Sequence, residues 1–413
     1  MGDGVVLAAW DARPSSAADA PNPISIVLRR SVDNGATWGG YIMVAAGFTG
    51  DATTARYGYS DPSFVVDRET GTVFCFFLYS KDVGFAGSQY GTDDANRRII
   101  SSVVVQSQDG GLTWSEPRFI TDVTKPGSAT NPQPGDVRTN FASSGEGIQL
   151  RYGPHAGRLI QQYSGYVRQA NGSEVFRAYS VYSDDHGATW VKGAPVGAGM
   201  DENKVVELSD GRVMLNSRDS AGSKFRKVAI STDGGHSYGE VTLDRQLIDP
   251  TNNAAIARIF PDAPAGSADA KKLIFTNAAS QTGRENVSAR VSCDDGRTWP
   301  GFRTIRPGVS AYSTVTPLDG GKIGVLYEAN YTSNMPLAVF DDVWLNYVCA
   351  PLSTPDITVR PGQSVDVPLT ITNQEDAALA AGAASIEVPT GWTARRRPCP
   401  TSRPAPRRPS RSP

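Results

Sequence analysis

Carboxylate, guanidinium and phenol side chains in a few short segments are the candidates for chemistry in this sequence. They are Asp11, Asp61, Glu202, Arg218, Arg284 and Tyr312. Carboxyl groups can donate and accept protons, and guanidinium groups bind carboxylates through paired hydrogen bonds. A phenol, with an ordinary pKa of about 10, becomes a nucleophile only beside a base. Each of these side-chain types also has structural roles in turns, surface ion pairs or packing. The residue types alone therefore do not distinguish a functional role from a structural one.

The histidine and cysteine residues of this sequence do not indicate a catalytic or metal-binding centre. Two of the three histidines lie inside a repeated turn phrase, which makes a histidine-based triad or metal site unexpected. The four cysteines are too scattered for a disulfide framework or a metal-binding spacing. We therefore expect buried or incidental thiols at Cys75, Cys293, Cys349 and Cys399. No residue cluster in the sequence suggests a metal.

The charge balance excludes some classes of partner. The 413 residues carry a formal charge of −2, which gives no reason to expect nucleic acid or an anionic membrane. No apolar run approaches the roughly 20 residues that cross a bilayer, so we expect no membrane insertion. The charge is uneven, however, because residues 395–413 contain seven arginines and no acid.

One eight-residue phrase, S-x-D-x-G-x-T-W, recurs along the chain. It begins at residues 31, 107, 183 and 292, and a variant, STDGGHSY, begins at 231. We interpret it as a hairpin turn in which Asp accepts hydrogen bonds from amides two residues on, Gly takes a positive φ and Trp packs between sheets. A calcium loop is the alternative, but the copies lack its distal bidentate Glu. The structural interpretation is favoured.

The rest of the chain predicts an all-β fold. Short apolar runs rich in β-branched and aromatic residues alternate with turn signals, and none has a sustained helical period. The intervals between the repeated phrases suit propeller blades of roughly 40–50 residues, some with insertions. We therefore predict a six-bladed β-propeller over residues 1–350, with the phrase absent from some blades. This architecture leaves few exposed sheet edges.

The character of the sequence changes after residue 350. Residues 351–394 have alternating apolar positions and a PGQ turn, and they predict a partial, immunoglobulin-like β-sandwich module. Residues 395–413 are rich in Pro, Arg and Ser and are predicted to be disordered. The abrupt change suggests a frameshifted or truncated end, with a natural basic tail as the alternative.

Together with the repeated phrase, the Asp-box, several segments resemble the bacterial exo-sialidases (neuraminidases), and most closely the secreted actinobacterial ones. These segments are WDARP from residue 10, YSDPSFVVD from 59, GPHAGRL from 153, MDENKVVELSDG from 200, LNSR from 215 and AYST from 311. An Arg also precedes the last Asp-box. The resemblance covers about residues 1–350. Asp-boxes alone would be weak support, because other propellers carry them.

The resemblance implies a retaining exo-sialidase that releases terminal α-linked sialic acids through a tyrosyl-enzyme intermediate. Arg218 and Arg284 match the family's second and third arginines, which bind the substrate carboxylate. Tyr312 matches the nucleophile and Glu202 its base. A neutral phenol suits an anionic substrate, because a carboxylate nucleophile would approach a like charge. The implied mechanism needs no cofactor.

Two aspartates complete the implied site. Asp11 matches the general acid/base that protonates the leaving glycosidic oxygen and then activates water. Asp61 is expected to touch hydroxyl groups of the sugar. Both are also ordinary turn residues, since Asp61 precedes a proline and Asp11 lies close to one.

The sequence departs from the family at its start. The family's first arginine belongs to an Arg-Ile-Pro motif about two dozen residues before the acid/base, and the chain lacks that motif. Arg13, Arg29 and Arg30 follow Asp11 and do not match this role. We therefore expect an N-terminally truncated chain with an incomplete first blade and impaired folding or activity. No signal peptide is present in the chain, although the resemblance implies a secreted parent protein.

Other functions stay open at this point. A non-catalytic sialoglycan-binding propeller would keep the Asp-boxes and lose the catalytic side chains, all of which are present. A structural propeller of other ancestry would have no reason to carry the arginine pair. The expected partners are sialylated glycoproteins, glycolipids or oligosaccharides, and the expected state is a monomer. Hydrolase and trans-sialidase activities are not distinguished by these residues.

Overall fold

A computed structural model of the chain describes residues 2–14, 16–330, 334–350, 352–355 and 357–373, with short stretches at 378, 381–384, 391, 393–394, 397–399 and 401. Strands dominate these ranges. The two α-helices found there, α1 (Thr121–Thr124) and α2 (Asp342–Leu345), have four residues each. No described helix is therefore long enough to cross a membrane. The predicted all-β class is confirmed.

The first three sheets contain strands β1 to β13. The first consists of β1 (Val6–Ala12), β2 (Ser25–Ser31) and β3 (Tyr41–Ala45). The second consists of β4 (Gly58–Val66), β5 (Val73–Ser80), β6 (Ser101–Ser107), β7 (Arg118–Phe119) and β9 (Gly145–Glu146), which joins β4 in parallel. The third consists of β8 (Val137–Ala142), β10 (Ile148–Gln149), β11 (Leu159–Arg168), β12 (Glu174–Ser183) and β13 (Val191–Lys192).

The next three sheets are antiparallel meanders. The fourth consists of β14 (Met200–Glu207), β15 (Val213–Asp219), β16 (Phe225–Ser231) and β17 (Thr242–Ile248). The fifth consists of β18 (Ala255–Arg258), β19 (Leu273–Ala278), β20 (Glu285–Ser292) and β21 (Gly301–Val309). The sixth consists of β22 (Ser313–Leu318), β23 (Lys322–Tyr327) and β24 (Leu337–Asp341).

These six sheets form a ring, which confirms the predicted six-bladed propeller. The apolar cores lie between neighbouring blades. For example, Trp190 of the third blade packs edge-on against Phe74 and Phe76 of the second, with ring centroids 5.6 and 4.9 Å apart. The first and sixth sheets have three strands each within the described residues. The predicted incompleteness of the first blade thus stays a prediction.

All five Asp-boxes are hydrogen-bonded turns. In the first copy, Ser31 Oγ and the Thr37 amide donate to Asp33 Oδ1 at 2.7 and 2.8 Å, and Thr37 Oγ1 donates to Oδ2 at 2.5 Å. The central glycine has a positive φ, +86° at Gly35. The amide that donates to Asp33 belongs to Thr37, four residues later in the chain, so the predicted spacing of two residues is wrong. The longer reach lets one carboxylate hold the serine before the turn and the threonine after it.

The residue after each Asp-box aspartate also has a positive φ, and in three boxes its side chain bonds to the preceding blade. The pairs are Asn34 with Asp319, His186 with Asp67 and Asp295 with Ser209. The first pair joins the first blade to the sixth, since Asn34 donates to the Asp319 carbonyl at 2.8 Å. Asp-boxes thus brace single turns and also connect neighbouring blades.

The expectation of four thiols is wrong for two cysteines. Cys293 in the fifth Asp-box and Cys349 after the sixth blade form a disulfide, with Cα atoms 5.5 Å apart. They are 56 residues apart in sequence, so only the closure of the sixth blade over the fifth brings them together. Cys75 and Cys399 are free, and Cys75 is buried as expected.

In its described residues, the segment after residue 350 forms two small strand pairs. β25 (Leu352–Ser353) pairs with β26 (Thr370–Ile371), and β27 (Gly382–Ala384) pairs with β28 (Arg397–Cys399). The last pair includes three residues of the predicted disordered tail, 397–399, and the disorder of the tail stays a prediction. The remaining parts of the predicted sandwich and tail lie largely outside the described residues.

Candidate active site

The six candidate residues lie at the end of the sheets opposite the Asp-boxes. In the first blade Asp11 pairs with Ile26, whereas the Asp-box begins at Ser31, which pairs with Val6. Glu202, Arg218 and Tyr312 occupy equivalent ends: near the start of β14, near the end of β15 and directly before β22. Asp61 lies in a bulge of β4. Arg284 directly precedes β20 of the fifth blade, so the propeller gathers residues from five blades at one end of its axis.

The Tyr312 hydroxyl is shared between Glu202 and Arg218. The hydroxyl accepts a hydrogen bond from Arg218 Nη1 at 3.2 Å, and the same Nη1 donates to Glu202 Oε2 at 2.6 Å, so the phenol and the carboxylate interact through and beside this guanidinium. The Arg284 guanidinium lies 5.2 Å from the centre of the Tyr312 ring. Burial, and then the negative charge of Glu202, raise the pKa of Tyr312 well above its usual value. Tyr312 is therefore a neutral phenol that lies beside the Glu202 carboxylate.

Arg218 is held by two acidic side chains. Its Nη1 donates to Glu202 Oε2 at 2.6 Å, and its Nε lies 3.2 Å from Asp201 Oδ2. Burial and the neighbouring Glu202 raise the pKa of Asp201 to about 6. Glu207, another acid in the same motif, instead accepts from the amides of Arg151 and Tyr152. The geometry therefore places Glu202, and not Glu207, beside the phenol.

Asp11 and Asp61 form a second acidic group. Asp61 has a left-handed backbone (φ +64°), and its amide donates to Asp11 Oδ1 at 3.0 Å. Burial raises the pKa of Asp11. Burial, followed by the charges of Asp11 and Glu202, raises the pKa of Asp61 to about 8. Asp61 is thus a neutral carboxylic acid at neutral pH, which limits the negative charge in the site.

Arg13 is a site residue that sequence reasoning set aside. Its two Nη atoms pair with Asp11 and with the exposed Asp19, both at 2.7 Å. Its charge also acts on Asp61 and on Glu328, which accepts from the Tyr312 amide at 3.2 Å. Its position in WDARP was the available signal. It was discarded because it follows Asp11 in sequence, which does not decide where a side chain lies.

An aromatic cluster occupies the same end of the third blade. Phe85, Phe141, Tyr166 and Phe176 have partly buried rings with centroids 5.1 to 6.3 Å apart. Phe141 lies three residues before Ser144, whose hydroxyl donates to Asp61 Oδ1 at 3.0 Å. The aromatic cluster therefore lies at the same end of the propeller as the charged groups. Within the described ranges, no group of three His, Cys, Asp or Glu could hold a metal ion.

Asp61→Asn is expected to stabilise the fold increasingly as pH rises. The folded pKa of Asp61, about 8, is above the ordinary value of 3.8, so the folded state binds this proton more tightly. That stability is complete below pH ~4 and is lost as pH rises towards 8. Asparagine cannot ionise and tolerates a left-handed backbone. Melting temperatures at pH 5, 7 and 9 should therefore show a growing advantage for the variant.

Asp51→Asn is the control for this titration. Hydrogen bonds from Thr53 and Thr54 lower the pKa of Asp51, so its contribution is constant between pH 5 and 9. A difference in melting temperature between Asp61→Asn and the unaltered chain that did not change with pH would contradict the assignment.

The repeats and the ring of six sheets define the class of protein, a β-propeller with Asp-boxes, without reference to any function. Residues 4–325 match the family model described as a BNR repeat-like domain. The chain is also 55% identical to a sialidase from Micromonospora viridifaciens over 390 residues, which cover 94% of this chain and 58% of that protein. The chain therefore belongs to the BNR-repeat sialidase family. It spans less than two thirds of that relative's length.

Solved structures of other proteins have a similar fold. The structure called Hadza microbial sialidase Hz136 has a TM-score of 0.71 and 27% identity, over 83% of this chain and 64% of that one. The intramolecular trans-sialidase from Ruminococcus gnavus has a TM-score of 0.68, over 84% of this chain and 93% of that one. At 19% identity, the second likeness concerns the fold alone.

Proposed function

We propose that this chain is a retaining exo-sialidase that hydrolyses terminal α-linked sialic acids through a tyrosyl-enzyme intermediate. The observation that carries the proposal is the Tyr312 hydroxyl, shared between the Glu202 carboxylate and the Arg218 guanidinium. A neutral phenol with its own base suits attack on a carbon that bears a carboxylate. Membership of the sialidase family supports the same reaction class.

In the proposed reaction the two guanidinium groups bind the carboxylate of the sugar. Tyr312 Oη attacks the anomeric carbon while its proton passes to Glu202, and the glycosidic oxygen leaves with a proton from a general acid. Water, activated by the conjugate base of that acid, then displaces Tyr312. Two displacements at one carbon give net retention. Asp61, as a neutral acid, can donate a hydrogen bond to the sugar without repelling its charge.

The general acid/base is proposed to come from the Asp11–Arg13–Asp19 group. Asp11 is the residue predicted from sequence, and burial raises its pKa, as a proton donor requires. However, both of its oxygens already accept hydrogen bonds, from Arg13 and from the Asp61 amide. Asp19, on the other arm of Arg13, is 89% exposed, so a leaving group has access to its carboxylate.

Matched variants separate these two aspartates. If Asp11 is the acid/base, Asp11→Asn lowers kcat/KM for a poor leaving group by about 10²- to 10⁴-fold and spares kcat/KM for aryl sialosides, whose leaving groups need little protonation. The comparison uses kcat/KM because loss of the base that activates water slows the second displacement for every substrate. If Asp19 has the role, Asp19→Asn shows that pattern instead. A loss independent of the leaving group would mark a residue that only positions Arg13.

The proposed function is tested by release of fluorophore from a 4-methylumbelliferyl sialoside, with proton NMR of the first-formed sugar. We expect turnover and an initial α-anomer. An initial β-anomer would contradict the retaining mechanism. A folded chain that binds sialyllactose without turnover would favour a binding propeller.

The proposed setting is extracellular, with sialylated glycoproteins, glycolipids or oligosaccharides as substrates and a monomer as the active form. The Cys293–Cys349 disulfide supports this setting, because disulfides persist mainly in oxidising compartments.

A further inference from the structure

A buried polar network joins the fourth and fifth blades, and the proposed reaction uses none of its members. At its centre is Arg226 on β16, whose Nε donates to Asn216 Oδ1 of β15 at 2.8 Å. Arg226 Nη1 donates to Asp249 Oδ2 at 3.1 Å and to the Asn252 carbonyl at 2.8 Å. All four residues are at most 1% exposed. A buried ion pair adds little to stability, because desolvation offsets most of the attraction, so its presence here needs another explanation.

The network orders the segment between β17 and β18. Asp249 Oδ1 accepts from the amides of Thr251 and Asn252, both at 2.8 Å, and Thr251 has a left-handed backbone (φ +71°). Asp249 Oδ2 also accepts from Asn277 Nδ2 of β19 at 3.2 Å. The main chain of Asn252 is thus held at both its amide and its carbonyl, which fixes the direction of its side chain.

The side chain of Asn252 reaches the residue before the proposed nucleophile. Its Nδ2 donates to the Ala311 carbonyl at 2.8 Å, and Ala311 directly precedes Tyr312. The neighbouring backbone groups bond to Glu328, which follows β23 in the sixth blade. The Ala311 amide donates to the Glu328 carbonyl and the Glu328 amide to the Tyr312 carbonyl, both at 2.9 Å. Asn252 therefore supplies a contact to this backbone from outside the sixth blade.

We propose that Asn252 is a positioning residue for the nucleophile. Its hydrogen bond to the Ala311 carbonyl holds the main chain at Tyr312 in a fixed place relative to the fourth blade, to which the network is anchored. The fourth blade carries both Glu202 and Arg218, so this bond sets where the phenol oxygen lies beside its base and its cation. The inference rests on the proposed function, because that function makes Tyr312 the nucleophile.

The geometry of attack explains why a directional contact is needed at this point. Apolar packing between blades is not directional, whereas a hydrogen bond fixes both a distance and an angle. Nucleophilic attack requires the reacting atoms to be aligned and about 3–3.5 Å apart, and a misplacement of about 1 Å can cost about 10²-fold in rate. A small shift of the sixth blade would therefore slow the reaction without unfolding the propeller.

Asn252→Leu tests the proposal, because leucine has a similar volume and cannot donate to the Ala311 carbonyl. We expect kcat for the fluorogenic sialoside to fall by about 10- to 10²-fold with little change in KM. Asn252→Ser is the milder change for folding. Its hydroxyl is too short to reach the same carbonyl, so the same fall in kcat is expected.

Asn140→Leu is the matched control. Asn140 is also 1% exposed, and its Nδ2 donates to the Tyr179 hydroxyl at 3.0 Å in the third blade. This substitution should lower the melting temperature and leave kcat unchanged. Equal losses of kcat in Asn252→Leu and Asn140→Leu would count against the proposal.

The same substitution in a Tyr312→Phe background separates positioning from a general loss of stability. In that background water is expected to attack directly, so the position of the ring no longer limits the rate. Asn252→Leu should then leave the residual kcat unchanged, while the melting temperature falls by the same amount in both backgrounds. A fall in kcat by the same factor in both backgrounds would show a purely structural role and overturn the proposal.

A spectroscopic comparison does not depend on turnover. Carbon-13 NMR of labelled tyrosine rings, with Tyr312 assigned through Tyr312→Phe, should show its signal moved in Asn252→Leu and unmoved in Asn140→Leu. An unmoved Tyr312 signal in folded Asn252→Leu would overturn the proposal. Absence of turnover in the unaltered chain would contradict the proposed function instead, and the NMR comparison would still decide whether Asn252 positions Tyr312.

Discussion

Tyr312→Phe is expected to lower kcat by about 10²- to 10³-fold with little change in KM, because it removes the attacking oxygen and leaves the substrate contacts in place. The phenylalanine ring keeps the packing against Arg284, so the melting temperature should stay close to that of the unaltered chain. Steady-state kinetics with the fluorogenic sialoside give both constants.

The stereochemistry of the residual activity makes this prediction sharper. Without the tyrosyl intermediate, water must attack the anomeric carbon directly, and the first sugar released should be the β-anomer. Tyr59→Phe is the matched control, since Tyr59 lies two residues before Asp61 on the same strand and packs against Phe77 and Tyr79. It should keep full activity. A Tyr312→Phe variant with nearly full kcat and an α-anomer would mean that another group is the nucleophile.

Arg218→Lys is expected to lower kcat/KM by about 10²- to 10³-fold. Lysine keeps the charge but cannot bind two oxygens in one plane, so it loses the paired contact proposed for the substrate carboxylate. In the free chain it also weakens the contacts to Glu202 and to the Tyr312 hydroxyl. Inhibition by free sialic acid should weaken in parallel, because that ligand carries the same carboxylate.

Arg218→Met tests how much the ion pairs of Arg218 contribute to the stability of the fold. It leaves Asp201 and Glu202 without their contacting cation, and removing one partner of a buried ion pair costs about 3–5 kcal/mol. Arg97→Met, which breaks an exposed pair with Asp82, should cost at most about 1 kcal/mol and leave activity unchanged. Equal losses of stability in the two variants would contradict the proposed electrostatic role of Arg218.

The fold was predictable because its signals are local. Each Asp-box closes through bonds among residues at most four apart, such as Asp33 with Ser31 and Thr37. Short apolar runs between turn signals marked the strands in the same way. The number of blades followed from the length of the repetitive region and the roughly 40–50 residues of a blade. The spacing of one hydrogen bond in the turn and the state of Cys293 and Cys349 were predicted wrongly.

The candidate site was predictable as a set of residues, and its geometry was not. The motifs identified Glu202, Arg218 and Tyr312, but their mutual contacts join residues up to 94 apart in sequence. Arg13 was set aside because it follows Asp11 in sequence, and its ion pairs with Asp11 and Asp19 are visible only in the folded chain.

The sequence by itself determined the fold class, the turns and the identities of the candidate side chains, because hydrogen bonds and periodicity over a few residues decide these features. The tertiary structure alone decided the rest. The Cys293–Cys349 disulfide depends on a distance of 5.5 Å across 56 residues. The raised pKa of Asp61 depends on burial and on charges from distant segments. Such quantities depend on distances in space, which the order of residues does not give.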